Sequence, residues 1–173
     1  NRFKVNYINL KYDKSIIKSS SKSYILEFLK KEKKQRSDII EFHNRPLYLK
    51  YLKDLSYTKK ILYFHNNPLE MNGSKTVEER IFLINNLDKI IFNSQWSKNK
   101  FINGLDEHIA VSPKLLIIKQ SINAKKVDIQ KKQKKIIFVG KLNSAKGYDL
   151  FGKSVIPILD KYKDWSSIVI GDE

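Results

Sequence analysis

Two short segments, DKIIFNS at residues 88–94 and KKIIFVG at residues 134–140, are apolar at consecutive positions rather than at every second one. A strand with one wet face alternates apolar and polar side chains. An uninterrupted apolar run suits a strand covered by helices on both faces, as in a parallel sheet. Other β-branched or aromatic runs, at 3–9, 38–42, 60–65, 115–119 and 167–170, read as further strands. Between the strands, 23–35, 46–55, 76–87, 95–105 and 148–162 read as helices. Parallel neighbours need a crossover, usually helical, so the alternation predicts an α/β class with parallel sheets.

Helix boundaries agree with that alternation. Thr76, Val77, Glu78 and Glu79 form a capping-box pattern, in which the Thr76 hydroxyl takes the Glu79 N–H and the Glu79 carboxylate reaches back. Ser94 follows the 89–93 strand directly and is placed to cap the helix that carries Gln95, Trp96 and Lys98. Gly104 stands where that helix should stop. Residues 120–134, QSINAKKVDIQKKQK, have few large apolar side chains and repeated Lys. They suit a solvated linker, so the chain divides into a first domain at 1–120, a linker at 121–134 and the start of a second domain at 135–173.

Composition removes several chemistries. No cysteine is present, which excludes disulfides, thiolate zinc and a cysteine nucleophile. His43, His65 and His108 are too far apart for a compact helical metal motif; neither a metal nor a cofactor is expected. No apolar run approaches the roughly 20 residues of a membrane-spanning helix. The chain begins at Asn1 and shows no export signal. The net charge of +16 is almost all Lys, dispersed among Asn and Ile, and reads as largely compositional. No recognised nucleic-acid motif or spaced set of stacking aromatics accompanies it, so no nucleic-acid partner is expected.

The segment KKIIFVGKLNSAKGYDLFGKSVIPIL, residues 134–159, followed by SSIVIGDE, carries the most chemistry. A buried strand ends at Gly140, a loop holds Lys141 and Lys146, Gly147 follows, and a helix starts at Tyr148. Glycine lets backbone approach a ligand, and a helix start offers unpaired N–H groups with positive potential. On those grounds the loop is an anion site, competing with an ordinary glycine turn in a Lys-rich chain. It matches neither the dinucleotide glycine fingerprint nor a phosphate loop ending in Gly-Lys-Ser/Thr.

The same block, with Gly140, Lys141, Leu142, Lys146, Gly147, Gly171 and Asp172 at the matching positions, resembles the start of the donor domain of group 1 (GT4-like) retaining glycosyltransferases of GT-B fold. Upstream, DIIEFHNRP, KKILYFHNNPLEMNG, DKIIFNSQWSKNKF and KLLIIKQSIN fall in the order that family uses in its first domain. The resemblance implies Rossmann-like parallel sheets, the end of an acceptor-side domain joined to a truncated donor domain. It also implies transfer of a sugar from a nucleotide donor to a glycan or lipid-linked acceptor, with retention, in cell-surface polysaccharide or lipopolysaccharide synthesis in bacteria. Location would be cytoplasmic, with peripheral contact at the anionic inner membrane face.

Roles carried over by the resemblance are these. Lys146 and Lys141, with Gly140 and Gly147, contact the donor diphosphate. Lys141 replaces the family's Arg and cannot make its planar two-pronged contact. His65 faces the donor sugar as the catalytic-side imidazole, and His43, Asn44, Arg45 and Asn66 line the acceptor side. The turn Met71–Ser74 either folds over the acceptor or is an ordinary glycine turn. Trp96 and Phe101 read as helix packing, and His108 as a surface residue in a polar loop. Asp172 and Glu173 orient the next loop rather than bind metal. With two donor-domain strands where about six are expected, the segment by itself is expected to be inactive and to leave apolar faces uncovered. Two other readings remain: a basic nucleic-acid module, or a non-catalytic α/β domain that binds a nucleotide or sugar.

Overall fold

The structure, a computed structural model, describes residue 10, residues 20–124 and residues 132–172. The strand expected at 3–9 and residues 125–131 of the expected linker lie outside the described residues. The chain forms two compact units, Asn1–Ile122 and Asn123–Glu173.

In the first unit the order is α1 (Ser20–Gln35), β1 (Ile39–His43), α2 (Leu49–Leu52), β2 (Lys59–Phe64), α3 (Val77–Asn86), β3 (Lys89–Phe92), α4 (Gln95–Ile102), α5 (Glu107–Ala110) and β4 (Leu115–Ile117). The four strands pair in chain order, β1-β2-β3-β4, and every pairing is parallel. The register sets Phe42 opposite Leu62, Phe64 opposite Phe92 and Ile90 opposite Leu115. Side chains alternate faces along a strand. One face therefore carries Ile40, Phe42, Leu62, Phe64, Ile90, Phe92 and Leu115, and these join Ile25 of α1, Leu49 and Leu52 of α2, Leu83 and Ile84 of α3 and Phe101 of α4 in one core. Phe64, Phe92 and Phe101 are fully buried, and each such ring contributes about 1.5–3 kcal/mol by burial.

β3 is buried on both faces, as its apolar run implies: Ile90 and Phe92 lie in the core, and Ile91, on the opposite face, is also buried. Ile39, Leu116 and Ile118 project from the opposite face and are 58%, 36% and 49% exposed. Among the described residues that face is therefore wet at the edge strands β1 and β4 and covered at the central ones.

Helix starts follow the sequence closely. Thr76 accepts from Glu79 N–H at 3.2 Å while Glu79 accepts from Thr76 N–H at 3.3 Å, so both halves of the capping box form. Ser94 accepts from Ser97 N–H at 3.2 Å. Helix ends depart from it. The helix expected over 46–55 is a 3-10 turn, Pro46–Tyr48, followed by the single turn of α2. The buried Lys60 ammonium donates to Leu55 O at 2.8 Å and Thr58 O at 3.1 Å, tying the chain down for its entry into β2. The Arg80 guanidinium takes the carbonyls of Phe101 and Asn103, and Gly104 turns left-handed at φ 79°, so α4 stops at Ile102 rather than 105. Residues 107–110, read as loop, form α5, on which His108 is exposed as expected. α1 begins at Ser20, ahead of the expected 23.

The second unit contains β5 (Lys135–Val139), α6 (Tyr148–Lys161) and β6 (Ser166–Ile170). β5 and β6 pair in parallel, with α6 as the crossover. Phe138 packs on Tyr148 and Phe151 with ring centroids 5.4 and 5.2 Å apart. Only Val155 is a buried hydrophobic residue among the described positions of this unit. Val139, Leu150 and Ile156 are 73%, 63% and 60% exposed, the uncovered faces expected of a two-stranded sheet. Among the described residues no helix is long and apolar enough to cross a membrane.

Candidate functional site

The carboxyl ends of β1 and β2 bring His43, Asn44, Arg45, His65 and Asn66 to one edge of the first sheet. Parallel register places His43 opposite Tyr63, and His65 follows two residues later. Asn44 adopts φ 51°, a left-handed conformation that Asn tolerates better than most residues. Its N–H donates to Tyr63 O at 3.0 Å, and its side-chain oxygen accepts from His65 N–H at 2.8 Å. From the other side, the Asn93 amide donates to His65 O at 2.8 Å. Both backbone polar groups of His65 are thereby fixed. Asn66 O accepts from the Ser97 hydroxyl at 3.3 Å, and the exposed Arg45 guanidinium donates back to Asn44 O at 3.0 Å.

Side chains at this edge form a stacked, hydrogen-bonded set. Tyr63 and His65 rings are 4.5 Å apart and 10° from parallel, and Tyr63 and His43 rings 5.5 Å and 14°. The Tyr63 hydroxyl donates to Ile118 O. His43 Nδ1 lies 2.6 Å from His65 Nε2. Beyond them Glu41 Oε1 lies 2.9 Å from His43 Nε2, and Gln120 Nε2 lies 3.0 Å from His65 Nδ1. Burial lowers the His65 pKa below the ordinary imidazole value of 6.5, and the neighbouring His43 pushes the same way, while Glu41 opposes. Gln120 would oppose too with its oxygen turned to the ring. With its nitrogen there, it favours the neutral form.

A cavity of about 620 Å³ opens between α1 and the end of β1. Tyr24 and Phe28 form part of its apolar wall, and Glu41, His43, Asn44 and Arg45 its polar side. The turn Met71–Ser74 does not cover this cavity's walls. Ser74 is buried, its hydroxyl donating to Pro68 O at 2.6 Å, and Gly73 packs on the backbone of Pro46 and Leu47. Its burial and packing are those of an ordinary glycine turn.

In the second unit Gly140, Lys141, Lys146 and Gly147 share one loop between β5 and α6. The ladder runs past the strands: Gly140 N–H donates to Ile170 O and Leu142 N–H to Asp172 O, each at 3.0 Å. A Cβ on Gly171 would stand 1.8 Å from Gly140 O, so this close approach requires glycine. Gly147, at φ 74°, is the N-cap of α6, and no side chain caps the helix. Lys141 and Lys146 are exposed, and neither ammonium has a partner among the described residues. Positive charge and uncapped N–H groups thus share one loop, suited chemically to an anion.

Sequence reasoning missed Glu41, Tyr63, Asn93 and Gln120. Glu41 and Tyr63 were accessible through strand periodicity, since each stands two residues before a histidine on its own strand. Gln120 lies 55 residues from its partner, and nothing local marks it. Trp96, read as packing, is instead 55% exposed with the Lys100 ammonium 5.7 Å from its ring centroid, whereas Phe101 packs as expected. Among the described residues no group of three or more His, Cys, Asp or Glu could hold a metal.

No protein-family model matches the chain. No curated protein matches it either. Among solved structures it is similar to the crystal structure of TarM, with 12% identity and a TM-score of 0.61. That match covers 87% of this chain and 32% of TarM, so the chain spans about a third of the other protein's length. The likeness shows the fold: α/β with parallel sheets, matching a GT-B-like neighbour.

Proposed function

We propose that the chain is part of a glycosyltransferase that moves a sugar from a nucleotide donor to a glycan or lipid-linked acceptor with retention of configuration, without a metal. The observation that carries this reading is the β5–α6 loop, where two lysines without partners among the described residues precede an uncapped helix start at the carboxyl end of a parallel strand. It is supported by the likeness to TarM, a glycosyltransferase. In this reading Lys146 and Lys141 neutralise the departing diphosphate, and Gly140 and Gly147 let backbone N–H groups approach it. His65 meets the donor sugar, and the cavity beside His43, Asn44 and Arg45 takes the acceptor, with Asn66 at its margin. Group 1 membership, a role in bacterial cell-surface polysaccharide or lipopolysaccharide synthesis, and attachment to the inner membrane face belong to the same proposal.

The test is a transfer assay with labelled sugar nucleotides on the product of the full open reading frame encoding this chain, alongside nucleoside diphosphate binding. One charge-assisted contact is worth about 1.5–3 kcal/mol, so Lys146→Ala should weaken diphosphate binding by about 10- to 100-fold. Lys141→Arg should tighten it by supplying a planar fork. Salt-sensitive DNA binding with no response to any sugar nucleotide would favour a nucleic-acid module instead.

A further inference from the structure

We propose that Glu41 and Gln120 are positioning residues that hold the His43–His65 pair in a single tautomer, with His65 protonated on Nε2 and its Nδ1 presented as a hydrogen-bond acceptor. The argument is one of proton counting along four groups in line. Glu41 Oε1 is 2.9 Å from His43 Nε2, His43 Nδ1 is 2.6 Å from His65 Nε2, and His65 Nδ1 is 3.0 Å from Gln120 Nε2. The two imidazole planes are 13° apart with centroids 5.0 Å apart, the edge-on placement a ring-to-ring hydrogen bond requires.

A carboxylate only accepts, so His43 Nε2 carries a hydrogen. A neutral imidazole has one N–H, which leaves His43 Nδ1 bare, and His65 Nε2 must then donate to it. That leaves His65 Nδ1 bare, so Gln120 must donate through its amide nitrogen, the atom the structure turns toward the ring. Running the chain backwards would require a second proton on His43 and the Gln120 amide turned over. For a neutral pair, one direction alone satisfies all three contacts. Tyr63 also lies near, but its one hydroxyl donor goes to Ile118 O, and the Arg45 guanidinium, which donates to Asn44 O, makes no hydrogen bond to either ring.

This wiring defines what the edge can bind. Gln120 is exposed and lies on the irregular segment after β4. A ligand hydroxyl can replace it as donor to His65 Nδ1, whereas an anion cannot, because that nitrogen has no hydrogen to give. The hydroxyl-donor specificity deepens the reading of His65 as the residue that meets the sugar and rests on it. The tautomer itself does not, since it is measured on the chain without substrate.

Long-range ¹H–¹⁵N correlation of the imidazoles in the 173-residue chain, at a pH of about 8 where ordinary imidazoles are neutral, reads the tautomers directly. The expected result is the Nε2–H form at both His43 and His65. Glu41→Ala and Gln120→Ala, with amide spectra of β2 and β3 unchanged, should each move the His65 ring nitrogens toward the averaged values of a tautomer mixture. Glu41→Gln, which still accepts through its amide oxygen, should restore the single form. An Nδ1–H tautomer at His65 in the unmodified chain overturns the proposal, as does a single unchanged tautomer in both alanine variants. The unmodified chain decides the first point even if a variant does not fold. Loss of the glycosyltransferase reading would show separately, as absent sugar transfer with the tautomer intact.

Discussion

A Cβ on Gly73 would stand 2.8 Å from the Leu47 backbone nitrogen, at a φ of 95° that side-chain-bearing residues rarely adopt. Gly73→Ala should therefore destabilise the first unit by about 1–3 kcal/mol, read from urea unfolding. His65 carries a different dependence. Burial, aided by His43, holds its folded pKa below 6.5, so in acid the unfolded chain binds the proton first. The ring's contribution is full above the unfolded value and declines as pH falls through that value toward the folded one. Unfolding midpoints should drop as pH falls below the ordinary imidazole value of 6.5, and His65→Gln should flatten that part of the profile.

Elements in the first unit are held at their starts by local bonds and at their ends by distant ones. Thr76→Ala removes one half of the α3 capping box and should cost about 1 kcal/mol. Arg80→Leu should cost more, about 1–3 kcal/mol for the buried Phe101 carbonyl left unpaired, because Arg80 ties α3 to the last turn of α4 through Phe101 O and Asn103 O. A comparison of the two variants by denaturant unfolding checks that order. If Thr76→Ala were the more damaging, α4 would not depend on the guanidinium.

Across the whole molecule, stability should be uneven. β2 and β3 place Leu62, Phe64, Ile90 and Phe92 in a sealed core, whereas the second unit buries Val155 alone among its described hydrophobic residues. Local opening follows apolar burial, so amides of β5 and β6 should exchange about tenfold or more faster than those of β2 and β3 in native-state hydrogen exchange. Equal protection in the two sheets would mean that something further covers the second unit's exposed faces.

The amino-acid sequence determined the parallel α/β class, the strand positions from 38 onward and the starts of α3, α4 and α6. Each of these rests on information within a few residues: runs of Ile, Leu and Phe, a Thr three places before its own Glu79, a Ser directly after a strand. It also singled out the β5–α6 loop, because glycine and lysine spacing is local too. Helix ends, the partly wet face of the first sheet and the Glu41–His43–His65–Gln120 chain were decided by tertiary structure. The carbonyls at the end of α4 are claimed by an arginine 21 and 23 residues away, and Gln120 meets His65 across 55 residues. No local preference encodes such meetings. They exist only because parallel pairing draws separate strand ends to one edge, where a hydrogen bond has a partner to find.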